Sequence, residues 1–221
     1  MQRLRTASGV RVIGYASRTG TRRVLADLWE HEWRLLVVAG AVLRSEGFQY
    51  GLDNGAWSCY QRDVPFDAEA FLLAVRKLGQ GADFIVVPDM VGAGLTSLRM
   101  SLLWLPFLQG VGRRRLLAVQ DGMTRKDIEP LVSDTVGIFV GGTTEWKLAT
   151  LNEWGAVKAA TGCYLHVGRV NSRKRILLCG EAGADSFDGT SVTRFAVHLP
   201  RLNKAIREAE SLYPQCRRTM P

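Results

Sequence analysis

The stretch Gly183-Ala184-Asp185-Ser186-Phe187-Asp188-Gly189-Thr190-Ser191 decides how this chain is read. A short strand over Asp185–Phe187 runs straight into a carboxylate and then into a glycine turn. Glycine punctuates local structure, so the strand ends there and Asp188 is lifted clear of the core. The same layout occurs far earlier, in Tyr50-Gly51-Leu52-Asp53-Asn54-Gly55-Ala56-Trp57, where a strand over Gln49–Leu52 delivers Asp53 to a second glycine turn. The pair suggests a fold that brings Asp53 and Asp188 together at one site.

Outward from these two stretches, short apolar strands alternate with amphipathic helices. Further strands are expected at Val10–Tyr15, Arg34–Ala39, Asp83–Val87, Leu116–Val119, Val136–Val140 and Cys163–Val167. Helices are expected at Arg22–Glu32, Asp67–Leu78 (Asp67 as N-cap), Leu95–Leu108 (shortened at Pro106), Lys126–Val132, Thr144–Ala160, Ser172–Ala182 and Val197–Glu210. Near-continuous Val/Ile/Leu runs suit parallel strands covered on both faces. The alternation predicts an α/β fold, a single compact (β/α)8 TIM barrel over residues 1–212 with a loose tail over 213–221. An open doubly wound sheet is the alternative, and usually needs fewer strands.

Composition narrows the function. The chain has 221 residues, 47% of them hydrophobic, enough for one large core. No run of about 18 uncharged apolar residues offers a membrane span. The basic start, Met1-Gln2-Arg3-Leu4-Arg5, is not followed by an apolar signal core, so export is not expected. Cys59, Cys163, Cys179 and Cys216 form no C-x-x-C pair and the three histidines lie far apart, so no metal site is expected. Reduced thiols in a cytoplasmic setting fit best. The net charge of +8 serves solubility or a polyanionic partner. Its groups recur at Arg22-Arg23, Arg113-Arg114-Arg115, Arg173-Lys174-Arg175 and Arg217-Arg218.

The polar residues fall where a barrel would use them. Asp53, Asp89, Gln120, Gly141-Gly142, Gly168-Arg169 and Asp188 all close expected strands, and a barrel gathers those ends on one face. Each also has a structural reading: turns at Asp53-Asn54-Gly55 and Gln120-Asp121-Gly122, a cap at Asp89, backbone bending at Gly141-Gly142, a satisfied interior histidine at His166, a solvated charge at Arg169. No phosphate-binding glycine loop or nucleophile elbow is present. Carboxylates, an amide and glycines remain. That set suits glycosidic-bond chemistry, with one carboxylate as nucleophile and another as acid or base.

At these residues the sequence resembles the tRNA-guanine transglycosylase family, most nearly its small phage and mobile-element relatives that insert 7-deazaguanines into DNA. The motifs are Asp53-Asn54-Gly55-Ala56-Trp57, Val87-Pro88-Asp89, Val119-Gln120-Asp121-Gly122, Gly141-Gly142-Thr143-Thr144-Glu145, Val167-Gly168-Arg169 and Gly183-Ala184-Asp185-Ser186-Phe187-Asp188, in order over residues 48–195. The resemblance implies Asp188 as nucleophile and Asp53 as general acid/base. It places Asp89, Gln120, Gly141, Gly142, Glu145, His166 and Trp57 around the base, with the His166 position packing on the base face. Arg169, Arg173, Lys174 and Arg175 would track phosphates. The family's tRNA enzymes carry a cysteine-rich zinc subdomain after the nucleophile; here only Cys216 lies there.

The implied reaction exchanges guanine in DNA for a free 7-deazaguanine base such as 7-cyano-7-deazaguanine, without a cofactor, in the cytoplasm of a phage or mobile-element host. A helper protein or a homodimer is a further expected partner. The rival readings are the same exchange on tRNA, a glycosidase that leaves an abasic site, and a non-catalytic nucleic-acid-binding barrel.

Overall fold

A computed structural model describes residues 12–214; Val10 and Arg11 of the expected first strand, and most of the expected tail, lie outside them. Eight strands form the frame: β1 Ile13–Ser17, β2 Arg34–Val38, β3 Tyr50–Asp53, β4 Ile85–Val86, β5 Arg115–Val119, β6 Val136–Val140, β7 Leu165–Val167 and β8 Ser186–Gly189. All neighbours are parallel, and β1 pairs with both β2 and β8, closing the sheet into a barrel. The described residues thus form one compact (β/α)8 TIM barrel.

Nine helices wrap the described part of the barrel: α1 Arg22–Glu30, α2 Ala56–Gln61, α3 Ala68–Leu78, α4 Leu95–Trp104, α5 Arg125–Ile128, α6 Thr144–Thr161, α7 Arg173–Glu181, α8 Ser191–Arg194 and α9 Leu199–Leu212. Asp67 caps α3 as expected, accepting from Ala70 N–H at 2.9 Å. The helix expected over Leu95–Leu108 ends at Trp104 and tightens into a 3-10 turn over Leu105–Leu108. Pro106 supplies no N–H and its ring crowds the preceding turn, so the α-helical ladder cannot pass it. β1 lies later than expected because its partners set its register: Ile13 pairs with Ser186 and Ser17 with Leu36. Among the described residues, no helix is long and apolar enough to cross a membrane.

Alternation along the strands separates two apolar layers. Side chains such as Leu35, Val37, Leu52, Ile85, Leu117, Ile138 and Phe187 point outward and pack under the helices. Tyr15, Leu36, Phe84, Val86, Leu116 and Ala118 point inward, with Ile13, Phe139 and Tyr164 against them. Gly51 shows how tightly that interior is filled. A Cβ there would lie 2.3 Å from the Phe84 ring, so only glycine leaves the space that Phe84 occupies. The aromatic plug closes the barrel below the strand ends. The same two-residue period then sets Asp53, Gln120 and Asp188 on the inward side, one step nearer the C-terminal mouth.

Candidate active site at the barrel mouth

Asp188, one residue before the end of β8, has 7% of its surface exposed. Its two carboxylate oxygens face the His166 ring and the Arg169 backbone N–H. Oδ1 lies 3.1 Å from Nε2 of His166, and Oδ2 accepts the Arg169 N–H at 3.2 Å. Its backbone carbonyl also accepts from Val170 N–H at 2.6 Å. The turn after β7 therefore wraps the Asp188 carboxylate and backbone together. That turn is itself clamped. Lys147, from α6, donates to the Gly168 carbonyl, and Arg175 donates to the Arg169 carbonyl at 3.3 Å. Arg169 holds the left-handed conformation, φ +58°, which aims its N–H inward. Side chains other than glycine adopt it seldom, so the clamps fix what the backbone alone would not.

Asp53 has a different environment. Among the described residues, its carboxylate accepts one hydrogen bond, from Gly55 N–H at 2.8 Å. Burial pushes the carboxyl up to about 7. The Gly55 bond opposes this, and the nearby charges of Asp188 and Asp89 reinforce it. Asp89 is also pushed up, to about 6, by burial, against a hydrogen bond from Asn54. Asn54 is the residue that ties these two acids into one frame. Its amide nitrogen donates to the Val87 carbonyl at 2.8 Å and to Asp89 Oδ1 at 2.7 Å. Its amide oxygen accepts Ala56 N–H at 2.8 Å and so starts α2. Asp-Asn-Gly is turn chemistry, and here the turn also begins a helix that sequence reading left out.

Several expected site residues are held differently from the expectation. His166 is fully buried, with its ring stacked on Phe139 at 4.9 Å and 22° and against Phe84 at 4.9 Å. Its faces are covered by the aromatic plug, so it meets the site through a ring edge rather than a face. Gln120 is 3% exposed and braces the loop after β4. Its oxygen accepts Gly92 N–H at 2.5 Å and its nitrogen donates to the Met90 carbonyl at 3.0 Å.

Gly141 N–H is bonded to the Val119 carbonyl at 2.8 Å. Gly142 has φ +68°, and a Cβ there would lie 2.5 Å from an Asp121 oxygen. Asp121 accepts from Thr143 N–H at 2.7 Å and from its hydroxyl at 2.6 Å, which secures the glycine turn. Burial raises the Asp121 carboxyl, but the Thr143 donors outweigh that and hold it low. Glu145 is exposed on the first turn of α6.

Arg169 spans the opening. β3 and β7 stand on opposite sides of the closed eight-strand order. Yet the Arg169 guanidinium sits 4.5 Å above the ring of Trp57, just beyond β3, and also donates to the Gly142 carbonyl. Trp57 is 39% exposed and stacks on Tyr60 at 5.7 Å. Of the other basic residues expected at the rim, Arg173 pairs with Glu208 of α9, Arg175 braces the Arg169 turn, and Lys174 is exposed.

Lys147 went unread in the sequence. It is 4% exposed, and burial, then the neighbouring Arg169 charge, push its ammonium down to about 8, against the attraction of Asp188. The only sequence signal is a lysine on the inner stripe of a long helix. Among the described residues, no group of three or more His, Cys, Asp and Glu is placed to hold a metal ion.

Fold and mouth together define a (β/α)8 barrel with a carboxylate site at the C-terminal ends of its strands. Comparison with known proteins carries the fold alone. No family model and no curated protein sequence matches the chain. Among solved structures, a tryptophan synthase from M. tuberculosis is 17% identical, covering 93% of this chain and 94% of its own, with a TM-score of 0.54. A structure described as native KDPGal is 11% identical, covering 94% and 100%, with a TM-score of 0.52. Shared barrel architecture hosts unrelated chemistries, so function has to be argued from the site.

Proposed function

We propose that this protein is an enzyme that exchanges guanine in DNA for a 7-deazaguanine base, such as 7-cyano-7-deazaguanine, through a covalent Asp188-linked nucleotide. The observation that carries the reading is the division of labour between two acids at one mouth. Each Asp188 oxygen meets a donor, the arrangement that suits a carboxylate anion. Asp53, raised to about 7, still holds a proton near neutrality. Two carboxylates set apart by their environments assign a nucleophile and an acid.

A target nucleotide is extruded from the stack, because C1′ cannot be reached within it. Asp188 attacks C1′. The C1′–N bond breaks, its electron pair leaves with guanine, and Asp53 supplies the proton that the departing base takes up. The incoming 7-deazaguanine returns a proton to Asp53 and attacks C1′, expelling Asp188. Two displacements retain configuration, and protons balance over the cycle. Asp89, beyond the neighbouring strand β4 and tied to the Asp53 turn through Asn54, is suited to accept N–H groups on the guanine edge. Its carboxyl, raised to about 6, is mostly ionised at neutral pH.

The test is base exchange with purified protein, labelled 7-cyano-7-deazaguanine, and guanine-containing DNA or tRNA in separate tubes. Label entering DNA, and lost in Asp188→Ala, is expected. Label in tRNA only would keep the chemistry and change the substrate. Abasic sites without label would replace exchange by hydrolysis.

A further inference from the structure

The buried imidazole behind Asp188 is used neither by the established fold argument nor by the reaction above. His166 and Ser186 are both wholly buried. Ser186 Oγ lies 2.7 Å from His166 Nδ1, and His166 Nε2 lies 3.1 Å from Asp188 Oδ1. A seryl hydroxyl, an imidazole and a carboxylate thus stand in line. The serine of this line is no nucleophile, because it sits at the inner end, below the imidazole and out of reach of the mouth.

The direction of the line follows from donor and acceptor inventory. A carboxylate anion only accepts, so the proton between His166 and Asp188 belongs to Nε2. In the uncharged ring this leaves a bare lone pair on Nδ1, and the Ser186 hydroxyl is its donor while the neighbouring Tyr164 hydroxyl donates to Ser186. Phe139 covers one face of the ring at 4.9 Å, Phe84 packs at 4.9 Å, and Tyr15 meets it edge-on at 5.7 Å. The ring can neither flip nor withdraw without disturbing the aromatic plug.

We propose that His166 is a positioning residue for Asp188: Ser186 fixes its Nε2–H tautomer, and the ring then holds the carboxylate in one rotamer beneath the mouth, opposite the Arg169 N–H. This rests on Asp188 being the nucleophile. A nucleophile on a flexible bond samples several rotamers, and only one lines up with C1′. Two donors from different strands and turns, one on each oxygen, leave a single arrangement.

The side chains of Gln and Asn separate this role from mere packing. A glutamine at 166 can place its amide near the Nε2 position and still donate to Asp188. An asparagine places its amide near Nδ1, keeps the contact with Ser186 and falls short of Asp188. In the exchange assay, His166→Asn is expected to lower kcat by roughly 10–100-fold, the range for a lost orienting partner. KM for the oligonucleotide and for the free base should change by less than about 2-fold, and His166→Gln should recover most of the loss. Equal damage in the two variants, or a loss expressed in KM, would overturn the role.

A second measurement needs no turnover. The chain has three histidines, so ¹⁵N imidazole spectra of the full-length protein, assigned with His31→Gln and His198→Gln, report the His166 tautomer directly. A neutral Nε2–H ring in the wild type that becomes a tautomer mixture in Ser186→Ala is expected. An Nδ1–H ring in the wild type would refute the arrangement even in an active enzyme. If the wild type exchanges no base but shows the Nε2–H ring, the transglycosylase reading fails while the Ser186–His166–Asp188 line stands.

Discussion

The two ends of the barrel treat their carboxylates in opposite ways. At the N-terminal end, Asp83 is 7% exposed and is met by cations. Arg34 lies 2.9 Å from one oxygen, Arg113 reaches 4.0 Å from the other, and the Tyr15 hydroxyl donates at 3.1 Å. At the C-terminal end Asp53, Asp89 and Asp188 converge, and among the described residues no Arg or Lys forms an ion pair with any of them. Their partners are backbone N–H groups, the Asn54 amide and the His166 ring. The Arg169 guanidinium, over the mouth, engages Trp57 and the Gly142 carbonyl. Burying an uncompensated acid costs free energy, so a fold built only for stability would pair these acids as it pairs Asp83. The contrast marks one end as structural and, on the proposed reaction, the other as the site where chemistry is done.

The largest effect that could break this contrast is at Asp188. On the proposed reaction, Asp188→Asn should lower exchange on the order of 10⁴-fold or more with an unchanged circular dichroism spectrum. An active variant would remove the nucleophile from this residue.

Asp53→Asn comes next, with a loss of roughly 10²–10⁴-fold, the usual share of a general acid. The wild-type rate should peak between about pH 6 and 7, falling above that window as Asp53 loses its proton and below it as Asp89 gains one, given folded-state values of about 7 and about 6. The same shift makes a stability claim. The folded value lies above the unfolded value of about 3.8, so the folded state binds the extra proton. The stability tied to neutral Asp53 is complete below about pH 4 and is lost as pH rises to 7. Asp53→Asn should therefore stabilise the fold at pH 8 by on the order of 2–4 kcal/mol, read as a higher melting temperature, and change it little at pH 4. Thermal melts at the two pH values check this, and equal shifts at both would contradict it.

At the opposite end the sign reverses. Asp83→Asn should destabilise by roughly 2 kcal/mol, below the range for a fully buried pair because 24% of the Arg34 side chain is exposed. Exchange per folded molecule should stay within about 2-fold, and a large loss of kcat would blur the division between the ends. The smallest effect is at the rim. Lys174→Ala should leave the melting temperature alone and reduce the salt slope of DNA binding by about one, as one phosphate contact does.

Much of the frame was legible in the sequence because strand and helix signals are local. β6 spans Val136–Val140, as the apolar run between its flanking polar residues predicts. The carboxylates that close β3 and β8 could be placed on the inner face from a period of two. What escaped was decided across the barrel. The resemblance sets Gln120 at the base, and loop residues Met90 and Gly92 take both ends of its amide. His166 reads as an inward residue, but Phe139, Phe84 and Tyr15 cover its ring. α2 was missed because Asp53-Asn54-Gly55 serves equally as a turn and as the start of a helix.

By itself the amino-acid sequence determined the alternation of strands and helices, the closure they call for, and which residues stand at the strand ends, since all of these follow from short-range pattern and backbone geometry. Only the tertiary structure decided that burial raises Asp53 to near neutrality, that Asp188 sets one oxygen on the His166 ring and the other on the Arg169 N–H, and that Arg169 reaches across to Trp57. Desolvation and Coulomb interactions depend on distances in space, and those distances join residues that the chain keeps far apart.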